Sequence, residues 1–401
     1  MKIGINCLGM LGGRTDGGAR YTRNLIYALE KYDKKNDYAI FVCPGDRGEF
    51  SNIDNPGFSV IPAENGAPKN LFLRGVRKAL RVSKIRHPRT LRYLSEQERV
   101  DIMFHPGSMD LALDIPGIVC IHDIQHEYHP DRFPYSLNIR KTWYSRCINR
   151  AKHIVTVSDY SRRTILEKFK LDPASVSVIH NYIDPRFRPL SKDDRESVRR
   201  KYGLPAQFLL YPASFFRHKN HVFLLEAFAE IKKKLGPAAL LFTGNTYRDH
   251  PETSYFEALQ KIKELDLADR VFIFENLPDQ AMPAIYALAS LMVFPSLFEG
   301  FGIPVIEAMA CGCPVACSNV TSLPEISGKA ALGFDPVVKD SLKTVILRVL
   351  KDKGLRDQLI KLGFIRARLF SEERFAKEML DLFEKVGNEV RTGGEKIGIG
   401  N

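Results

Sequence analysis

Glu299-Gly-Phe-Gly-Ile-Pro-Val-Ile-Glu307 is the stretch whose reading decides the fold. Before it, Leu291-Met-Val-Phe-Pro295 is an apolar run that reads as a buried strand. Pro304 suits the first turn of a helix, where its missing N–H is not needed. Gly312 and Pro314 punctuate the far end, and Val315-Ala-Cys317 reads as a second strand. The predicted unit is strand, glycine loop, short helix, strand. Such a loop turns the backbone N–H groups of Phe301, Gly302 and Ile303 toward the positive end of a helix, a site suited to a diphosphate. Glu299 on the loop and Glu307 in the first helical turn flank it.

With its neighbours in register, the stretch resembles the Glu-x7-Glu motif of the retaining glycosyltransferases of family 4. The spacing alone recurs by chance. The resemblance continues through Ser322-Leu-Pro-Glu325 and Gly328-Lys-Ala-Ala331 to Asp335-Pro336. It covers nearly the whole chain, strongest from Leu291 to Pro336 and weakest from Phe50 to Arg99. It implies an α/β protein of GT-B fold, two Rossmann-like domains facing each other across a deep cleft.

Length and composition suit a soluble globular protein of two domains. The chain has 401 residues, too many for one ordinary core, with 44% hydrophobic and 26% charged residues. No apolar run approaches the roughly 20 residues of a membrane span. The start, Met1-Lys-Ile-Gly-Ile-Asn-Cys-Leu8, does not read as a signal peptide. Seven scattered cysteines show no paired zinc spacing, as expected of reduced thiols in a cytoplasmic protein. The formal charge is +12, and 69–99 alone holds ten Lys/Arg against two Glu. No zinc-finger, helix-turn-helix or RNP-type pattern accompanies that charge, which argues against nucleic acid. Within it Leu73, Val76 and Leu80 share one helical face while Arg74, Arg77, Lys78 and Arg81 occupy others. That is a basic amphipathic helix, suited either to solvent or to an anionic membrane surface. The expected location is the cytoplasm, with peripheral attachment to the inner face of the cell membrane as an extension.

In chain order, Lys2 to Leu8 reads as a first strand, followed by a turn-rich segment and a helix over Ala19 to Leu29. Gly17-Gly18-Ala-Arg-Tyr resembles the family's N-terminal glycine loop, with Ala19 where a second glycine usually stands; the resemblance makes Gly17 and Gly18 donor-binding. Strands are expected at Tyr38–Cys43, Phe58–Ile61, Asp101–Phe104 and Gly117–Ile121. The last places His122-Asp123 at a strand's carboxyl end, where open parallel sheets bind ligands. His122 to Pro130 resembles the family's His-Asp segment, which implies His122 beside the donor sugar. His122, His126 and His129 could also suggest a metal site, but the segment reads as loop and no carboxylate ligand is defined. A helix over Leu137 to Arg150, a strand over His153 to Val157, and a helix capped by Ser158 and running to Phe169 follow.

Asn181-Tyr-Ile-Asp184-Pro-Arg-Phe187-Arg-Pro189 resembles the family's crossing segment. The expected domains are therefore 1–185, acceptor-binding; 186–372, nucleotide-sugar-binding; and 373–392, a last helix returning to the first domain. In the second half, Arg217-His-Lys219-Asn220 lies between a strand ending at Tyr211 and a helix from His221. It resembles a basic donor-phosphate motif, as a departing diphosphate requires. The segment after the strand Val271–Phe274 borders the nucleobase in related enzymes.

The resemblance assigns catalysis to His122, Glu299, Lys219 and Arg217, and donor binding to Gly17, Gly18, Phe301, Gly302, Ile303 and Glu307. Glu299 would take donor-sugar hydroxyls and Glu307 those of the ribose. The chain has no Asp-x-Asp, the handle of metal-dependent transferases, so no metal is expected. The expected reaction is retaining transfer of a hexose from a nucleotide sugar, GDP-mannose or UDP-glucose first, to a glycan or lipid-linked acceptor. A nucleotide-sugar epimerase of the same fold and a non-catalytic sugar- or lipid-binding module are the alternatives.

Overall fold

The computed structural model describes residues 1–12, 17–63, 88–107, 115–133, 136–275 and 277–394. The expected basic helix at 73–81 lies outside the described residues. The amino half contains β1 (Lys2–Asn6), α1 (Gly17–Tyr32), β2 (Asp37–Val42), β3 (Phe58–Pro62), α2 (Pro88–Gln97) and β4 (Ile102–His105). It continues with β5 (Gly117–Cys120), α3 (Gln125–Tyr128), α4 (Leu137–Arg150), β6 (His153–Thr156), α5 (Asp159–Phe169) and β7 (Val176–Val178). Its seven strands form one parallel sheet in the order β3-β2-β1-β4-β5-β6-β7.

The carboxyl half contains α6 (Lys192–Tyr202), β8 (Phe208–Pro212), α7 (His221–Ile231), β9 (Ala239–Thr243), α8 (Tyr255–Glu264), β10 (Val271–Phe274) and α9 (Met282–Leu288). Then come β11 (Leu291–Phe294), α10 (Ile303–Ala310), β12 (Val315–Ser318), α11 (Leu323–Ser327), β13 (Ala331–Phe334), α12 (Lys339–Lys351), α13 (Lys353–Ala367) and α14 (Glu372–Gly394). Its six strands form a second parallel sheet, β10-β9-β8-β11-β12-β13.

Both sheets reverse direction of growth at their first strand, β1 and β8. The inner strands are mostly apolar because helices cover both faces; β4, β5, β8, β9, β11 and β12 are buried throughout. Two large cores result, one per sheet. The last helix does not stay with the half that precedes it. α14 packs on α1, and Phe375, Met379, Phe383 and Val386 enter the same core as Ile3, Leu25 and Phe104. The carboxyl half also sends Phe301, Ile306 and Ile326 into that core.

Three departures from the sequence reading stand out. α6 and α8 occupy segments for which no helix was expected, and β13 adds an edge strand after Gly328. The His122–Pro130 segment, expected as loop, carries the one-turn α3. His126 on it is buried against the Tyr144 ring, with centroids 4.4 Å apart.

Candidate active site

β11 ends in a loop that delivers Glu299, and Gly302, at φ 96°, caps α10. Only glycine holds that left-handed conformation without strain, and a side chain there would strike Leu323 at 2.6 Å. The loop is pressed against the other domain. A Cβ on Gly300 would lie 2.4 Å from the carbonyl oxygen of His122, so this glycine permits the two halves to touch. Ser161 on α5 fastens the contact, its hydroxyl donating to the His122 carbonyl at 2.9 Å and lying 3.4 Å from that of Gly300. The neighbouring Phe298 is buried among Tyr128, His129 and Tyr160 of the amino half, with ring centroids 5.7–6.0 Å away.

Glu299 meets Lys219 here. The Lys219 ammonium donates to Glu299 Oε1 at 2.6 Å, and both side chains are largely buried. The Lys219 loop is fixed by the Tyr211 hydroxyl, which donates to the Lys219 carbonyl at 2.6 Å, and by Asn220, which donates to the carbonyls of Pro295 and Pro336. Arg217 does not join them. It turns to α8 and pairs with Glu257 at 2.7 Å, half exposed. Lys219 and Arg217 stand two residues apart on a 3₁₀ turn, and at three residues per turn they point to different sides.

His122 stands at the carboxyl end of β5, with its backbone carbonyl against Gly300 of the Glu299 loop. Its imidazole lies 3.2 Å from the Pro106 carbonyl oxygen and meets the Tyr21 ring edge-on at 4.8 Å. Asp123 beside it is electrostatically coupled to the cluster. Burial pushes its carboxyl above the ordinary value, the Glu299 charge adds to the push, and Lys219 opposes it. Asp123, Tyr21 and Ser161 were not assigned from sequence. The Asp123 position was visible at the strand end, but its coupling to Lys219 and Glu299 was not.

Glu307 lies deeper. It is the fifth residue of α10, past the first turn, and its side chain is only 4% exposed. Two groups hold its carboxylate: Arg20 of α1 donates at 2.5 Å, and the Tyr286 hydroxyl of α9 donates at 2.9 Å. Burial pushes the Glu307 carboxyl up from its ordinary value, while Arg20 and Tyr286 hold it down. In turn Glu307 keeps Arg20 firmly protonated. The bond joins the two halves, and Arg20 extends it to Asp279 at 3.6 Å. Beyond it opens a cavity of about 310 Å³ between α1 and the crossing segment. Arg20 sits inside Gly17-Gly18-Ala-Arg20-Tyr21, yet only the glycines were singled out. Both glycines open α1; a Cβ on Gly17 would touch nothing.

A second hollow, about 550 Å³, lies at the carboxyl ends of β9 and β10. Asn245 to His250 and Glu275 line it. Among the described residues the one compact group of metal-ligating type is Asp159, His180 and Glu325. Its Glu325 is already occupied by His180 at 2.9 Å and by the N–H groups of Asp159 and Tyr160. His122, His126 and His129 form no such group.

Comparison with known proteins gives this geometry a family. Residues 194–364 match the family described as glycosyl transferases group 1, and residues 15–187 match Glycosyltransferase Family 4. The chain belongs to these glycosyltransferases. Its similarity to the O-antigen chain mannosyltransferase B of Escherichia coli is 28% identity over 376 residues, 92% of this chain and 96% of that protein. The serotype-specific mannosyltransferase WbdA of E. coli is 28% identical over 282 residues, 69% of this chain but 34% of that longer protein. In fold, the chain superposes on sucrose-phosphate synthase from Thermosynechococcus elongatus with a TM-score of 0.77 at 20% identity, covering 96% of this chain and 99% of that one. Anabaena Alr3699/HepE, solved with UDP and glucose, gives 0.74 at 16% identity over 96% of this chain and 100% of that one. The fold is therefore GT-B, and the glycosyltransferase is a hexosyltransferase by its relatives.

Proposed function

We propose that this glycosyltransferase moves a hexose, mannose first, from a nucleotide sugar to a hydroxyl of a glycan or lipid-linked acceptor in surface polysaccharide synthesis. Anomeric configuration is retained and no metal takes part. The single observation that carries the reading is the Lys219–Glu299 pair, on the loop before α10 whose Gly300 lies against the His122 carbonyl. The names of the sequence relatives favour GDP-mannose over UDP-glucose.

The chemistry follows from charge. Glycosyl transfer develops an oxocarbenium-like sugar while a diphosphate departs. Lys219 and the amino end of α10 stabilise that leaving charge in a largely buried setting. Lysine offers three donors, so Lys219 keeps Glu299 oriented while reaching a phosphate oxygen. Glu299 takes the donor-sugar hydroxyls, and His122 stands over the anomeric side. Each carboxylate oxygen of Glu307 has a second lone pair, which leaves it able to accept a ribose hydroxyl beside Arg20 and Tyr286. The hollow at β9 and β10 suits the base. The carboxyl half thus binds the donor and the amino half the acceptor, with the division near 185. Arg217, tied to Glu257, stays outside the phosphate set. The cytoplasm supplies the donor, and the expected basic segment at 69–99 attaches the protein to the inner membrane face.

The test joins binding to turnover. GDP-mannose, GDP, UDP-glucose and UDP are compared by thermal shift, since a ligand that binds the native state stabilises it in proportion to affinity. Transfer is then measured on a mannose-terminated acceptor with and without chelator. Lys219→Met is expected to lower kcat/KM about 100-fold. Sugar interconversion in a donor-only incubation would point to an epimerase, and wild-type kinetics in Lys219→Met would end the assignment.

A further inference from the structure

We propose that Arg132 and Arg140 of the amino half form a phosphate-binding site against the Lys219 turn, in the role that Arg217 leaves unfilled. Arg132 ends the 3₁₀ turn Pro130–Arg132, and Arg140 lies in the first turn of α4. The stretch that carries them packs on the loop that carries Lys219. Ser136, just before α4, donates to Glu252 of the carboxyl half at 2.7 Å. The next residue, Thr253, donates from its hydroxyl to the Phe215 carbonyl at 3.0 Å and bridges Phe216. Arg217-His218-Lys219 follows Phe216 directly. On the Glu299 loop, the Leu297 N–H donates to the His218 carbonyl at 2.8 Å, and Phe298 is buried among Tyr128, His129 and Tyr160.

Both guanidinium groups lack a firm counter-charge. The Arg132 side chain is 22% exposed, and its Nε is buried with no hydrogen-bond partner. Its one ion pair among the described residues is with the exposed neighbour Asp131, at 3.9 Å. Burial pushes the Arg132 guanidinium down from its ordinary value, and Asp131 opposes that. Arg140 spends its Nε on the Ser136 hydroxyl at 3.0 Å and lies over the Phe133 ring, 4.8 Å from its centre. Its link to a carboxylate runs through Ser136 to Glu252. The charges of both arginines reach the Lys219 turn. His218 is held well below its ordinary value by burial, and the charges of Lys219, Arg132 and Arg140 add to that. Lys219 and Arg140 also act together on Asp123, each holding its carboxyl down. Three cations from two domains thus act on one turn, and Glu299 is already taken up by Lys219. A partly buried cation without a partner is costly until a ligand supplies the opposite charge. The planar fork of arginine donors matches phosphate oxygens. Two sources carry that anion, the departing diphosphate of the donor and a phosphate on the acceptor. The inference rests on the reading of this cleft as a transfer site.

Two arms test it on the full chain, with Arg132→Met and Arg140→Met made singly and together. The first titrates inorganic pyrophosphate by calorimetry, a probe that carries the anion without base or sugar. The second measures KM for a mannose-terminated acceptor bearing a phosphate ester and for the same acceptor without it. If the donor diphosphate fills the site, the variants are expected to bind pyrophosphate about tenfold more weakly, with both acceptor KM values unchanged. If the acceptor fills it, KM for the phosphorylated acceptor is expected to rise about tenfold while the neutral one keeps its value. Either result supports the site and names its source. Arg140→Lys, which keeps the charge and loses the fork, should restore part of the loss. Variants that match the wild type in both arms would overturn the proposal. So would an equal loss for charged and neutral acceptors that lysine does not restore, since that marks a packing role. Lys219→Met separates the two readings: if it cripples transfer while the arginine variants behave as wild type, the transfer site stands and only this inference falls.

Discussion

Arg20 and Glu307 are 287 residues apart in sequence, and at 2.5 Å they form an ion pair between the two domains. Glu307 is almost wholly buried, so its charge depends on that partner and on Tyr286. Removing one member of a buried pair strands the other, which costs more than the pair contributes. Arg20→Met is therefore expected to destabilise the protein by about 2–4 kcal/mol, and Glu307→Gln in the same chain should return much of that loss. Denaturant midpoints of the two single variants and the double variant check this; additive effects would remove the pairing. The same pair shows what sequence could and could not reveal. Glu299 and Lys219 were legible because strand ends, glycines and a proline mark their segments. Tyr286 carries no local mark, and Arg20 and Asp123 were visible only as members of their segments, since their importance lies in partners brought close only by the fold. Arg217 is two residues from Lys219 in sequence but turns to Glu257, because nearness in sequence is not nearness in direction on a tight turn.

At the level of elements, α5 begins in one domain and is completed by the other. Ser158 caps it within the chain, its hydroxyl accepting from the Ser161 N–H at 3.1 Å. Glu325 of α11 then accepts from the N–H groups of Asp159 and Tyr160 at 2.9 and 3.0 Å, and lies 2.9 Å from His180. A carboxylate at a helix amino end is favoured by the helix dipole and by the free N–H groups there. Glu325→Gln turns one of those acceptors into a donor facing donors. It is expected to lower stability by about 1–2 kcal/mol and the melting temperature by about 2–4 °C, read by thermal unfolding. The Ser158 cap was visible in sequence; the Glu325 half of the device was not, although the motif containing it was. The missed elements have physical reasons too. α6 buries no side chain and is charged nearly all round, so it lacks the apolar periodicity that signals a helix, although Ser191 caps it and Gly203 ends it. β13 is a half-exposed edge strand containing Gly333.

Across the whole molecule, four buried histidines tie stability to pH. Burial holds His126 and His153 down to about 4, and His105 and His221 to about 3, against an ordinary value of 6.5. The sign follows. As pH falls below 6.5 the unfolded chain binds protons that the folded chain refuses, so stability is full above that value and is lost progressively toward pH 4. The melting temperature should be level between about pH 7 and 8 and fall steeply below about 6.5. His126→Phe, which keeps a ring against Tyr144, should flatten part of that slope in thermal melts; an unchanged slope would exclude His126 as a contributor. The two-sheet plan behind this core was readable from alternating apolar runs and turn residues. The shared boundary was not, because Phe298, Phe301 and Glu325 do their joining work at right angles to the order of the chain.

The return of α14 to the first sheet has one more consequence. A ribosome releases Ile3 and Leu25 long before Phe375 and Phe383, yet all four belong to one core. The half that is made first therefore waits, one wall missing, until α14 has been made, and neither half is a finished body on its own.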